Sequence, residues 1–330
     1  MDSLQHKTLK TSRGFTYSYY VSNPATFKQT LLLQHGFPDD AHLWDDVVPK
    51  LTEYRLVVPD MLGYSGTSKP TDPADYAYAG LAQDLVDILD AEGIGKVISV
   101  GHDWGSFVAQ RLYNYHKDRV EGLILLNVGY NLPSESPPDL KQANDYLEKL
   151  VGFPALGYQE FFITDEAPTL LKEHLDRFYH ALHGAPAGWM KEMFGSRENL
   201  RKWLLDENRQ VELLSYAQDP ERRRAFIERF QRDGFEGPLC YYKASNSNVQ
   251  YDADKALGHD RLVVQVPVLF INCKHDILSE MDLMVPAKEK GLLPDLEVVT
   301  IDSRHWSPFE KPDEVAASMT SFLSRRFASK

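Results

Sequence analysis

Three residues at separate places in the chain have the types that nucleophilic catalysis needs. Asp103 lies in the segment Gly-His-Asp-Trp-Gly, and Asp276 and His305 follow it in that order. A carboxylate, a second carboxylate and a histidine can act as nucleophile, orienting acid and base. Taken singly, the two aspartates also fit helix caps or turns, and the histidine fits a surface loop. Their placement relative to the predicted strands therefore decides between the interpretations.

The turn around Asp103 joins a predicted strand to a predicted helix. The β-branched, apolar residues 97–100 predict a short buried strand, and the apolar spacing from Phe107 onward predicts a helix. Gly101 and Gly105 flank the reactive side chain. This layout is typical of a nucleophile elbow, whose usual form is Gly-x-Ser-x-Gly and which carries an aspartate here.

Asp276 and His305 also follow predicted strands. Residues 266–271 and 296–301 are apolar runs that predict strands, and each run ends a few residues before one of these side chains. Ligands bind beyond the carboxyl ends of the strands in an open α/β sheet. We therefore expect Asp103, Asp276 and His305 to meet at one edge of a sheet as a catalytic triad.

The rest of the pattern predicts an α/β sheet that an insertion divides. Strands that alternate with helices favour a mostly parallel sheet with helices on both faces. Helical spacing and dense aromatic residues replace the strands over 132–258, which predicts a helical cap over the mouth of a core made of 1–131 and 259–330. The further elements predicted for the core are a hairpin over 8–21, strands at 31–33, 55–60 and 120–128, and one closing helix from Ser307 through Phe322.

Composition narrows the classes of function. The net charge of −12 and the absence of a compensating Lys/Arg cluster argue against a nucleic-acid partner. No apolar stretch approaches the length of a membrane span, and residues 1–7 lack the apolar segment of a secretory signal. Cys240 and Cys273 lie in apolar surroundings and are expected to be buried free thiols. Together these features predict a cytoplasmic protein without a membrane span.

An aspartate nucleophile implies a reaction in two steps. Asp103 is ionised at neutral pH and can attack an sp³ carbon that has a strained or good leaving group, which leaves an alkyl ester on the protein. His305 would activate the water that attacks the ester carbonyl, and Asp276 would support the resulting imidazolium. The main-chain N–H groups of Trp104 and Phe37 are the candidates for the oxyanion hole. This chemistry requires no cofactor and no metal.

The motifs resemble those of the soluble epoxide hydrolases of the α/β-hydrolase fold over essentially the whole chain. The segment His-Gly-Phe-Pro at 35–38 is similar to the family's oxyanion-loop motif, and the elbow, Asp276 and His305 match its pattern. The resemblance also implies two cap tyrosines whose hydroxyls hold the epoxide oxygen. Tyr158 stands in a similar Tyr-Gln context, and Tyr242 corresponds to the tyrosine of the family's Asn-Trp-Tyr-Arg pattern.

The resemblance implies an α/β-hydrolase fold with an inserted cap, and hydrolysis of a small apolar epoxide by water to a vicinal diol. The family's Asn, Trp and Arg around the second tyrosine are Cys, Tyr and Lys here, which makes Tyr241 the reserve candidate for the role of Tyr242. The residues expected to line the substrate pocket are His35, Pro38, Trp104 and Tyr241.

Other functions fit parts of the sequence. A haloalkane-type dehalogenase would use the same triad, and Trp104 offers one N–H donor for a halide, but Phe37 stands where an amide side chain could supply the second. A non-catalytic receptor on this fold would need the pocket without the triad. A serine esterase at Ser65 lacks the Gly-x-Ser-x-Gly spacing, and His180 and His183 lack a third metal ligand and are expected to be exposed on a helix.

Overall fold

A computed structural model describes residues 1–278 and 284–327. In this part of the chain, eight strands form one sheet. The strands are β1 Gln5–Lys10, β2 Thr16–Val21, β3 Thr30–Gln34, β4 Arg55–Pro59, β5 Val97–His102, β6 Val120–Leu126, β7 Val268–Cys273 and β8 Leu296–Ile301.

Helices follow or separate most of these strands. The α-helices of the described residues are α1 Tyr78–Ala91, α2 Trp104–Tyr115, α3 Leu140–Val151, α4 Gly157–Phe162, α5 Ala167–Glu173, α6 Leu175–His183, α7 Trp189–Phe194, α8 Asn199–Leu205, α9 Pro220–Asp233, α10 Cys240–Ser245, α11 Asn248–Asp254, α12 His259–Leu262, α13 Val285–Glu289, α14 Ser307–Glu310 and α15 Pro312–Arg326. Short 3₁₀ helices occur at Ala41–Trp44, Val48–Lys50, Pro73–Tyr76, Lys117–Arg119 and Ser215–Gln218.

The strand order is β1-β2-β4-β3-β5-β6-β7-β8. The pairs β1–β2 and β2–β4 are antiparallel and all the others are parallel, which confirms the predicted mostly parallel sheet. Because β5, β6, β7 and β8 are consecutive neighbours, the residues that follow them lie side by side at one edge. This order places Asp103, Asp276 and His305 at the same edge of the sheet.

Burial explains why the apolar runs of the sequence form the centre of the sheet. Every residue of β3 and β5 is buried. Strands buried along their whole length must be covered on both faces, and parallel strands joined by helices meet this condition. Helix α2 packs on β5 and β6, and α15 packs on β7 and β8.

The prediction of a single closing helix is wrong, because the structure has two helices there. α14 ends at Glu310 and α15 begins at Pro312, with Lys311 at φ −139° and ψ 51° between them. Proline has no N–H for an i→i−4 bond and disfavours the helical conformation in the residue before it. Pro312 therefore ends the first helix and starts the second.

The residues between β6 and β7 form helices α3 to α12, with one isolated β-bridge between Gly184 and Leu213. Aromatic side chains hold several of these helices together, as in the pair Trp189 of α7 and Trp203 of α8, whose ring centroids are 4.9 Å apart. Within the described residues, no helix is long and apolar enough to cross a membrane. The boundaries 132–258 of the cap stay a prediction.

Candidate active site

Asp103 stands at a sharp turn between β5 and α2. Its backbone has φ 55° and ψ −124°, a conformation that L-residues rarely adopt. A Cβ on Gly101 would lie 2.2 Å from the carbonyl oxygen of Gly105, and a Cβ on Gly105 would lie 2.2 Å from the carbonyl oxygen of Gln34. Only glycine fits at both positions, which explains the spacing of the elbow motif.

The loop after β3 brings a main-chain donor to the Asp103 carboxylate. The N–H of Phe37 donates to Asp103 Oδ1 at 2.8 Å, and the N–H of Trp104 lies close enough to lower the pKa of this carboxyl group. A Cβ on Gly36 would lie 2.4 Å from Asp103 Oδ1, so this close approach also requires glycine. The Asp103 carboxyl group thus faces two N–H groups that can stabilise an oxyanion, and that of Phe37 bonds Oδ1.

The structure brings the other two members of the predicted triad to this carboxylate. Asp276 Oδ2 lies 2.7 Å from His305 Nδ1, and His305 Nε2 lies 3.7 Å from Asp103 Oδ2. Asp276 Oδ1 accepts a hydrogen bond from the N–H of Leu278 at 2.9 Å. All three side chains are buried. The imidazole therefore lies between two carboxylates, as a base supported by an acid requires.

The charges of the triad change the ionisation of its members. Burial works against the charged imidazole, but the carboxylates of Asp276 and Asp103 outweigh it and raise the pKa of His305 to about 9. Burial raises the pKa of Asp103, although His305 and the two N–H donors act in the opposite direction. The pKa of Asp276 is lowered, because the imidazolium and its hydrogen bonds outweigh burial.

Asn127 belongs to this site and was not predicted. It follows β6, has φ 67°, and its Nδ2 donates to Asp276 Oδ2 at 2.6 Å and to the carbonyl oxygen of His305 at 2.9 Å. Asn127 therefore bonds both Asp276 and the loop that carries His305. A polar residue directly after the strand between β5 and β7 was the signal in the sequence that could have identified it.

Two buried histidines hold the loops around the nucleophile. His102 Nε2 donates to the carbonyl oxygen of His305 at 2.8 Å, and His35 Nε2 accepts from the N–H of Met61 at 2.9 Å. Burial lowers the pKa of His35 to about 4 and that of His102 to about 3, so both rings are neutral at neutral pH. Both are positioned to stabilise main-chain geometry.

Tyr158 and Tyr242 reach the same cavity as the triad. Their ring centroids are 5.9 Å apart at an interplanar angle of 82°. Burial raises the pKa of both phenols, and the nearby charge of Asp103 adds to this, so both are protonated donors at neutral pH. The described residues that line this cavity of about 40 Å³ are Phe37, Asp103, Tyr158, Phe162, Leu182, Met190, Phe194, Tyr242, Ile277, Leu278, His305 and Trp306.

The residues predicted to line the substrate pocket lie behind the side chains that line the cavity. Tyr241 packs against Tyr64 and Tyr76, with ring centroids 6.0 and 5.1 Å away. The Trp104 ring stands edge-on to Tyr242 at 4.9 Å. His35 and Pro38 belong to the loop below, where the carbonyl oxygen of Pro38 accepts from Arg229 Nη2 at 2.8 Å. None of His35, Pro38, Trp104 and Tyr241 is among the described lining residues, so the geometry separates Tyr242 from its reserve candidate.

Trp306 forms the wall beside His305. Its Nε1 donates to Asp39 Oδ2 at 3.0 Å, and its ring meets those of His305 and His183 with centroids 4.8 and 4.5 Å away. His183 is buried, so the prediction of an exposed histidine there is wrong. The face of α6 that carries His183 points inward, because the His183 ring packs against Trp306 and Tyr179.

Comparisons with known proteins agree with this geometry. A family model described as the alpha/beta hydrolase fold matches residues 29–312. Epoxide hydrolase A of Mycobacterium tuberculosis is 29% identical over 89% of this chain and 90% of its own length, and epoxide hydrolase 3 of Siraitia grosvenorii is 28% identical over 98% and 100%. The crystal structure of epoxide hydrolase A from Mycobacterium thermoresistibile superposes with a TM-score of 0.78 at 24% identity, covering 97% of this chain and 98% of that one.

Proposed function

The chain belongs to the α/β-hydrolase fold family, and on this basis we propose that it hydrolyses small apolar epoxides to vicinal diols. One observation carries the proposal: the Asp103 carboxylate, with Oδ1 held by main-chain N–H, shares a cavity with two protonated phenols. A carboxylate nucleophile suits an sp³ carbon, and phenol donors suit the alkoxide that forms when an epoxide opens. The similarity to named epoxide hydrolases supports the same reaction.

The first step forms an ester. Asp103 Oδ2 attacks one epoxide carbon while the bond between that carbon and the ring oxygen breaks. Tyr158 or Tyr242 donates its phenol proton to this oxygen, which leaves a hydroxyalkyl ester on Asp103 and a phenolate. Because an alkoxide is a poor leaving group, the two donors act where the negative charge develops.

The second step hydrolyses this ester. His305 Nε2 takes a proton from water, and the resulting hydroxide adds to Asp103 Cγ. The negative charge moves to Oδ1, where the N–H groups of Phe37 and Trp104 stabilise it. The ester C–O bond then breaks, and His305 returns its proton to the leaving oxygen, which releases the diol. The proton that remains on the Asp103 carboxyl group is lost as it ionises and restores the phenol.

The two steps are coupled through charge. In the free protein, the carboxylate of Asp103 helps to hold the pKa of His305 at about 9. Ester formation removes this negative charge, so the pKa of His305 falls when the base is needed. The carboxylate of Asp276 remains and continues to support the imidazolium during hydrolysis.

Mass spectrometry of a His305→Gln variant tests the proposal. Without the base, an aryl epoxide should leave a stable adduct of its own mass on the peptide that contains Asp103. The matched control carries Asp103→Asn as well and should form no adduct. A folded His305→Gln protein without any adduct, or a wild-type protein that releases halide from a haloalkane and forms no diol, would contradict the proposal.

Compartment and domain boundaries belong to the same proposal. Cys240 and Cys273 are free and buried, which is consistent with the reducing conditions of the cytoplasm. We place the cap at 132–258, between the two parts of the core.

A further inference from the structure

The catalytic cavity is too small for the substrate that its chemistry requires. Its volume is about 40 Å³, whereas ligand pockets usually measure roughly 300–1,000 Å³. A space of this size holds little more than water. Substrate binding therefore requires at least one wall of the cavity to move, and the contacts of the described residues favour one of them.

Two aromatic residues of the wall, Phe37 and Trp306, are held in place by several partners. Phe37 packs against the rings of Phe162, Phe178, Phe235 and Tyr242. Trp306 is fixed by its bond to Asp39 and by two histidine rings. Aromatic side chains locked in this way lose many contacts if they move, so the opening does not lie at these two residues.

One groove outside the cavity shares part of its wall. This groove of about 270 Å³ lies between residues 186–191 and residues 274–277, beside Arg304. Met190 and Ile277 line both the groove and the catalytic cavity. A larger groove of about 490 Å³ beyond Trp306 has no described lining residue in common with the cavity.

Of the two shared residues, Met190 is the one that can move. Ile277 is buried, β-branched and adjacent to the catalytic Asp276, whereas Met190 is partly exposed on the first turn of α7. Methionine is unbranched and adapts readily to a changed space. Trp189 next to it is anchored, because its Nε1 donates to the carbonyl oxygen of Ala181 at 2.8 Å. The helix can therefore stay in place while the Met190 side chain turns.

We propose that substrate enters the catalytic cavity through this groove, that Met190 closes the passage, and that its size sets the bulk of epoxide that is accepted. The identity of the substrate rests on the function proposed above, but the passage itself does not. Replacing Met190 by alanine joins the cavity to the groove, and replacing it by tryptophan blocks the passage.

Thiol labelling tests the passage without any epoxide chemistry. Leu182 lines the cavity but not the groove, so a Leu182→Cys variant places a reporter inside. The probe is iodoacetamide, and peptide mass spectrometry separates label at position 182 from label at Cys240 and Cys273. Met190→Ala in this background should speed labelling by about tenfold, because exposure of the buried site no longer depends on a local opening. Met190→Trp should slow it.

The matched control is Met193→Ala on the same helix. Met193 is buried and lines neither space, so this change loosens α7 without removing the gate. Labelling faster in Met190→Ala than in Met193→Ala supports the proposal. Equal rates in these two variants, or an unchanged rate in Met190→Trp, would overturn it, because access would then not pass Met190.

A second test compares the turnover of a small and a bulky epoxide. With styrene oxide and the bulkier trans-stilbene oxide as probes, Met190→Ala should raise kcat/KM for the bulky epoxide relative to the small one by about tenfold, and Met190→Trp should lower this ratio. An unchanged ratio in a protein that opens epoxides would overturn the role of Met190 in specificity. If neither epoxide is hydrolysed, the proposed function is contradicted. The labelling result still tests whether access to the cavity passes Met190.

Discussion

The core side and the cap side of the catalytic cavity are held in different ways. On the core side, Asp103, Asp276 and His305 each follow a strand of one sheet, and main-chain groups or Asn127 fix them. On the cap side, Tyr158 and Tyr242 lie on the short helices α4 and α10, whose positions depend on aromatic packing. The proposed nucleophile, acid and base thus follow strands of one sheet, whereas the proposed donors lie on helices whose positions depend on contacts between distant segments.

Phe37 links the two sides. Its N–H bonds Asp103, while its ring packs against Phe162 and Tyr242 at centroid distances of 5.2 Å each. A change in cap packing can therefore reach the oxyanion hole through one residue. The proposed reaction gives different roles to the two sides, although Phe37 connects them in the structure.

The largest effect is expected from the core side. Asp103→Asn should lower diol formation by at least about 10⁴-fold, because an amide is not a usable nucleophile. Asparagine tolerates a positive φ, so the elbow should fold, which circular dichroism can verify. Asp302→Asn, at an exposed acid paired with His275, is the control and should leave the rate unchanged. A rate near wild type in Asp103→Asn, with deamidation excluded by mass, would show that the core side does not carry the nucleophile.

On the cap side, smaller losses are expected. Tyr158→Phe and Tyr242→Phe should each slow ester formation by about 10–100-fold, with little effect on ester hydrolysis, because each removes one donor to the epoxide oxygen. Single-turnover measurements of both steps check this. Tyr241→Phe is the matched control, since its buried ring lies outside the cavity. Equal slowing of both steps, or a loss in Tyr241→Phe as large as in Tyr242→Phe, would show that the cap tyrosines only pack.

The two steps should also differ in their dependence on pH. Ester hydrolysis needs neutral His305, and loss of the Asp103 charge lowers the pKa of this base from about 9 once the ester has formed, so the hydrolysis rate should rise with pH only below the lowered pKa, by up to about tenfold per unit. Ester formation needs both phenols protonated, which their raised pKa values ensure, and it does not need neutral His305. Rapid-quench measurements from about pH 5 to 9 check both steps. A hydrolysis rate that does not rise anywhere in this range would contradict the role of His305 as the base.

The smallest effect is expected from replacing Asn127, on the core side. Asn127→Gly and Asn127→Ala both remove the amide donors to Asp276 and to the His305 loop, and each should lower kcat by about tenfold. Alanine should also lower the free energy of unfolding by about 1 kcal/mol relative to glycine, because φ is 67°. Urea denaturation and kcat together separate the two effects. A glycine variant with full activity would mean that the amide bonds do not position the acid.

The sequence predicted that Asp103, Asp276 and His305 meet at one edge of the sheet, because the signals for strand ends are local. Each of these residues lies shortly after a predicted strand, and the glycines at 101 and 105 mark a turn that no other residue fits. The closing helix was predicted less well, since apolar periodicity continues across Pro312 although the helix does not. His35, Pro38, Trp104 and Tyr241 are not among the described residues that line the cavity of the triad, because nearness to a motif in sequence does not show which side chains face a cavity.

Local patterns alone therefore determined the fold class and the chain order of Asp103, Asp276 and His305, the residues proposed as nucleophile, acid and base. Tertiary structure decided that Tyr242 and not Tyr241 faces the cavity, that Asn127 joins the acid to the loop of the base, and that Met190 stands between the cavity and an outside groove. The physical reason is how far apart in the chain the interacting residues lie. Strand ends and turns are set by neighbouring residues, whereas the facing of a side chain depends on packing between segments that are far apart in the chain.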